Sequence, residues 1–102
     1  MALYGVGLDT TVKRLNTDLK LAISQRGGIN IRTLHRVFKK VDLNGNNKID
    51  IKEFEIGLAH FGFFPKKVDL QALLNFYDID RDGFINFEEF VKGLRYIHHF
   101  KN

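Results

Sequence analysis

An all-α fold is predicted for this chain: two helix–loop–helix units side by side, their loops joined by a short β pairing, with an extra helix ahead of them. Three observations carry this expectation. Two twelve-residue stretches, DLNGNNKIDIKE (Asp42 to Glu53) and DIDRDGFINFEE (Asp78 to Glu89), place oxygen-bearing side chains at their first, third, fifth, ninth and twelfth positions. Apolar residues around them repeat in register at a spacing of 36 residues. A further amphipathic segment stands upstream. The chain thus divides into an N-terminal segment, residues 1–28, and a helix–loop–helix pair, residues 29–102.

The upstream segment reads as a helix from Thr10 to Arg26. Val12, Leu15, Leu19, Ala22 and Ile23 fall on one side of it. Asp9 or Thr10 offers an N-cap. Gly27 and Gly28 stop it as glycines stop helix C-termini, and Asn30 can cap the helix that follows. Its apolar face either covers part of the pair's groove within the same molecule or docks on a partner.

Each repeat then shows the same order of elements. Leu34, Val37, Phe38 and Val41 precede Asp42, and Leu70, Leu73, Leu74 and Tyr77 precede Asp78. These are matching offsets on one face of a 3.6-period helix. Phe54, Leu58 and Phe61 follow Glu53 as Phe90, Leu94 and Ile97 follow Glu89, and Gly57 and Gly93 fall at matching places. Ile49 and Ile85 hold the eighth position of each loop, where a β-branched residue suits antiparallel pairing. Phe63, Phe64 and Pro65 mark the linker between units.

The loops carry the chemistry. Ca²⁺ takes six to eight hard oxygen ligands, and a short loop wraps it with side chains at alternating positions, one backbone carbonyl and a closing bidentate Glu. This spacing is that of an EF-hand, so the fold expected is a paired EF-hand lobe. In the second loop Asp78, Asp80, Asp82, the carbonyl of Phe84, Asn86 and Glu89 fill the pattern, with Gly83 at the sharp turn. In the first, the donors are Asp42, Asn44, Asn46, the carbonyl of Lys48, Asp50 and Glu53. Asn47 replaces the turn glycine, and Asn tolerates left-handed geometry best after Gly. Asn44 and Asn46 are neutral, so the first site is expected to bind Ca²⁺ less tightly.

Composition sets the outer bounds. With 102 residues there is room for one small domain, and ten Phe and three Tyr supply a dense aromatic core. There is no Cys for a disulfide framework and no apolar run of membrane-spanning length. The start of the chain lacks a secretory pattern, and Ala2-Leu3 fails the myristoylation pattern. A cytoplasmic protein is expected. The net charge of +4 divides into −1 over the first loop, −4 over the second and +9 over the remainder. Such a basic body favours an acidic partner. No aromatic-interleaved basic motif points to nucleic acid. Catalysis is not expected: the acids are committed to the loops, and His35, His60, His98 and His99 stand beside no nucleophile.

The stretch QRGGINIRTLHRVFKKVDLNGNNKIDIKE (Gln25 to Glu53) resembles the first EF-hand of the calcyphosine family. Ile31-Arg32, Leu34, Arg36-Val37-Phe38 and the Asp-x-Asn-x-Asn loop carry the resemblance, which continues through DRDGFINFEEF. It implies a soluble Ca²⁺-binding protein of signalling, in several lineages tied to cilia or flagella. That family carries two EF-hand pairs and this sequence shows one, so properties of a second lobe do not carry over. Three classes of role follow: a dedicated Ca²⁺ sensor or adaptor for an acidic partner, a permanent subunit of a larger assembly such as a microtubule-based or ciliary one, and a buffer. The single Met, at position 1, argues against a promiscuous Met-lined groove.

Overall fold

Helix α1 (Thr10–Gln25) opens the described part of the chain, followed by α2 (Ile31–Val41), strand β1 (Lys48–Ile49) and α3 (Ile51–His60). The second unit consists of α4 (Lys67–Tyr77), β2 (Ile85–Asn86) and α5 (Phe87–Phe100). A computed structural model describes residues 10–26 and 30–100, with side chains through Arg95. The alternative cap Asp9, the stop at Gly27 and Gly28, and the side chains of Ile97, His98 and His99 lie outside the described residues.

Local chemistry accounts for the helix boundaries. Asn30 caps α2: its side-chain oxygen accepts from the backbone N–H of Arg32 at 2.8 Å and of Thr33 at 3.4 Å. Thr10 is already the first helical residue, so it is not the cap, and Arg26 has left the helix in a turn. Helix α3 is capped at its C-terminus by Phe61, and Gly62 follows with φ of 78°, a left-handed turn that releases the chain into the Phe63–Pro65 linker. Lys66, just after Pro65, starts α4 without a side-chain cap.

All the expected apolar faces point inward where they are described. Leu34, Phe38 and Val41 of α2 and Leu70, Leu73, Leu74 and Tyr77 of α4 are buried, and Val37 packs at the margin. The loops pair through the two-residue strands, antiparallel, with Ile49 opposite Ile85 and Lys48 opposite Asn86. Both isoleucines are buried. Tyr77 is the aromatic centre: its ring lies 5.8 Å from that of Phe54, 5.3 Å from Phe76 and 5.6 Å from Phe90.

Helix α1 packs across α4 and α5, the two helices of the second unit. Val12, Leu15, Leu19 and Ile23 are buried there, and Ala22 packs partly against the same core. Each such side chain contributes about 1.5–3 kcal/mol when fully buried. Four of them approach the net stability of a small domain, about 5–15 kcal/mol. α1 is therefore built into the core rather than lying loosely on it. Among the described residues no helix is long and apolar enough to cross a membrane.

Candidate metal centre

Each loop begins where a helix lets go. Asp42 and Asp78 leave helical geometry, yet their backbone N–H groups still donate to Phe38 and Leu74 carbonyls at 3.1 and 2.8 Å. The chain then turns through paired left-handed positions: Gly45 and Asn47 (both φ 68°) in the first loop, Arg81 (61°) and Gly83 (85°) in the second. Asn47 thus adopts the conformation expected of it. Arg81, at the place Gly45 holds in the first loop, was not anticipated. Its guanidinium donates to the Asn75 carbonyl at 3.2 Å, tying the strained residue back to α4.

The first-position carboxylates organise the loops from inside. Asp42 Oδ2 accepts from the N–H of Asn47 at 2.8 Å; Asp78 accepts from Gly83 at 2.9 Å and Asp82 at 3.3 Å. Asn46 and Asp82 each accept from the N–H two residues on, Lys48 at 3.1 Å and Phe84 at 3.0 Å. The ninth and twelfth positions interlock. Asp50 Oδ1 accepts from Glu53 N–H at 2.8 Å while Glu53 Oε1 accepts from Asp50 N–H at 3.0 Å. Asn86 and Glu89 do the same at 2.8 and 3.1 Å. Both are capping boxes, so the closing glutamates also start the exiting helices. The signature of both stands in the sequence as D-x-x-E at Asp50–Glu53 and N-x-x-E at Asn86–Glu89. The second oxygen of each glutamate reaches across its loop, to Leu43 N–H at 3.1 Å and to Asp80 N–H at 3.0 Å.

Electrostatics differ between the loops. The carboxylates of Asp78, Asp80 and Asp82 come within 4.8 Å of one another. Partial desolvation, together with a hydrogen bond to Asp82 and the negative charges of Glu89 and Asp82, raises the Asp80 carboxyl above its ordinary value. Asp82 is held at about 2, chiefly by the Lys48 ammonium and the Phe84 N–H. Lys48 Nζ stands 2.8 Å from Asp82 Oδ2, and its own pKa is raised by that partner. A carboxylate held low favours the folded state above its ordinary titration range. The pair therefore persists at neutral pH and is lost only as pH falls from about 4 through about 2. Lys48 was expected to offer only its carbonyl. The register opposite Asn86 was the signal that its side chain would lie over the second loop.

The donor set fits a hard divalent cation. Asp42, Glu53, Asp78 and Glu89 are all buried, and their hydrogen-bond partners are backbone N–H groups, with no basic side chain among them. Buried carboxylates are otherwise paired or bound to metal. Asp42 Oδ1 is buried with no partner at all. Each bonded carboxylate oxygen keeps a second lone pair for a cation. Asn44, Asn46 and Asp50 in the first loop and Asp80, Asp82 and Asn86 in the second stand along the same short arcs, so the residues of each loop could hold such an ion.

Two helix–loop–helix units with oxygen-lined, paired loops define a cation-binding lobe. The EF-hand domain pair model matches residues 31–95, and the chain belongs to that family of calcium-binding proteins. It is 36% identical over 66 residues to a stretch of the mitochondrial adenyl nucleotide antiporter SLC25A24 of Danio rerio, covering 65% of this chain. Over 69 residues, 68% of the chain, it is 39% identical to the probable calcium-binding protein CML25 of Arabidopsis thaliana. Identity to human calcium-binding protein 7 is 33% over 61 residues, 60% of the chain. The matched stretches span 14%, 37% and 28% of those relatives' lengths.

Proposed function

We propose that this chain is a calcyphosine-like Ca²⁺ sensor or adaptor whose two loops bind Ca²⁺ and whose basic body serves a dedicated acidic protein partner. The observation that carries the metal reading is the buried Oδ1 of Asp42, which has no hydrogen-bond partner, among buried carboxylates bonded to backbone N–H groups. Asp42, Asn44, Asn46, the Lys48 carbonyl, Asp50 and Glu53 hold the first ion. Asp78, Asp80, Asp82, the Phe84 carbonyl, Asn86 and Glu89 hold the second. Bound Ca²⁺ supplies the divalent charge that these acids lack. Because Glu53 and Glu89 cap α3 and α5, ligation at a loop and the set of its exiting helix are one event. Three closely spaced aspartates in the second loop favour the tighter site there.

The charge of +9 outside the loops supports an acidic partner, and an acidic filament such as a microtubule fits it. Failure to co-sediment with microtubules at low and moderate salt would remove that choice. A permanent assembly subunit is the second reading, favoured by α1 being held in the core by its buried Asn16, which bonds the Gly93 carbonyl and the Tyr77 hydroxyl.

The test is a calorimetric Ca²⁺ titration in millimolar-order Mg²⁺ with a hydrophobic-dye assay alongside. Sites of roughly 10⁻⁷–10⁻⁵ M with dye binding on saturation are expected of a sensor. Tighter sites without a dye response indicate a buffer or an assembly subunit. Glu53→Gln should leave the tighter site and Glu89→Gln the weaker one; the reverse order would overturn the ranking of the loops.

A further inference from the structure

Lys48 belongs to both loops. Its carbonyl is the seventh-position donor of the first, and its ammonium rests on a fifth-position ligand of the second, Asp82, at 2.8 Å. Strand pairing puts it there: Lys48 lies opposite Asn86, the ninth-position ligand of the second loop. The ammonium also stands 5.9 Å from the centre of the Phe84 ring, whose carbonyl is the seventh-position donor of that loop. The second loop therefore carries an internal cation, supplied by the first, on the edge of its Asp78–Asp80–Asp82 cluster.

We propose that Lys48 is an affinity-setting residue for the second site, a tethered cation that weakens Ca²⁺ binding there and links the two loops electrostatically. The inference rests on the metal reading above. Its physical basis is simple. The ammonium neutralises part of the charge that would attract a divalent ion, and it either leaves Asp82 or stays beside the bound ion and repels it. Both routes lower affinity. Solvent screens both contributions without abolishing them at these separations, so the expected effect is modest.

The experiment isolates the second site in a Glu53→Gln background and measures its Ca²⁺ affinity with Lys48→Met and, separately, Lys52→Met. Lys52 is an exposed lysine of the same loop with the same charge. Lys48→Met should tighten the second site by about three- to tenfold, and Lys52→Met by much less. In the metal-free protein, Asp82→Asn should shift the NMR signals of the Lys48 Cε methylene. Unchanged or weaker affinity in Lys48→Met, an equal gain in Lys52→Met, or Lys48 signals indifferent to Asp82→Asn would each overturn the proposal. Absence of Ca²⁺ binding in the Glu53→Gln background itself would instead overturn the assignment of the second loop, and this inference with it.

Discussion

Gly93→Ala is expected to destabilise the protein by about 1–3 kcal/mol, whereas Gly57→Ala, at the matching place in the first unit, should be neutral or stabilising by up to about 1 kcal/mol. The two glycines are equivalent in sequence and opposite in surroundings. A methyl group at Gly93 would stand 2.5 Å from Cδ2 of Tyr77. That ring is fully buried, its hydroxyl is bonded to Asn16, and Phe54, Phe76 and Phe90 close round it. It has nowhere to move. A methyl at Gly57 would meet Val41 Cγ2 at 3.7 Å, an ordinary contact, and would gain helix propensity. Thermal unfolding in EDTA checks this, at about 4–8 °C per kcal/mol for a domain of this size. Combining Gly93→Ala with Tyr77→Leu should cost less than the sum of the two. If Gly93→Ala proved as stable as the parent, the close approach of α5 to Tyr77 would be wrong.

The second large effect is at Asn16. This residue is completely buried in α1; its Nδ2 donates to the Gly93 carbonyl at 3.0 Å and its Oδ1 accepts from the Tyr77 hydroxyl. A carbonyl can only accept, so the amide orientation follows from chemistry. One side chain thus ties α1 to both helices of the second unit. Asn16→Leu keeps the branched shape with somewhat more bulk, but it strands the buried Tyr77 hydroxyl and leaves the Gly93 carbonyl with its helix bond alone. A cost of about 2–4 kcal/mol is expected, read by urea unfolding of the metal-free protein. Tyr77→Phe in the same background should recover part of it, because the stranded hydroxyl is then gone. Full stability in Asn16→Leu would show that α1 is held by apolar contact alone. Burial also raises the Tyr77 hydroxyl well above its ordinary value of 10.0. The folded state therefore favours the protonated form, and that contribution, intact below about pH 10, is lost as pH climbs beyond it.

Asn16 shows where reading the chain one residue at a time runs out. It sits in the apolar stripe of α1 between Val12 and Leu19, and a polar residue in such a stripe is a usable signal of a buried hydrogen bond. Its partners are not, since Gly93 lies 77 residues away and Tyr77 61. The same holds for Lys48 and Asp82, which are 34 residues apart.

The sequence by itself determined the loops, because a cation site of this kind is built from neighbours along twelve consecutive residues and its spacing is a local property. It also determined the helices and their inward faces, since periodicity is local too. The positive φ of Asn47, the Asn30 cap and the opposition of Ile49 and Ile85 follow from the same short-range rules. Only the tertiary structure decided what the rules leave free. It set α1 across the second unit, distinguished Gly93 from Gly57, and laid the Lys48 ammonium on the other loop's aspartate. Each of those depends on which surfaces meet when the core closes, and residues far apart in the chain meet only then.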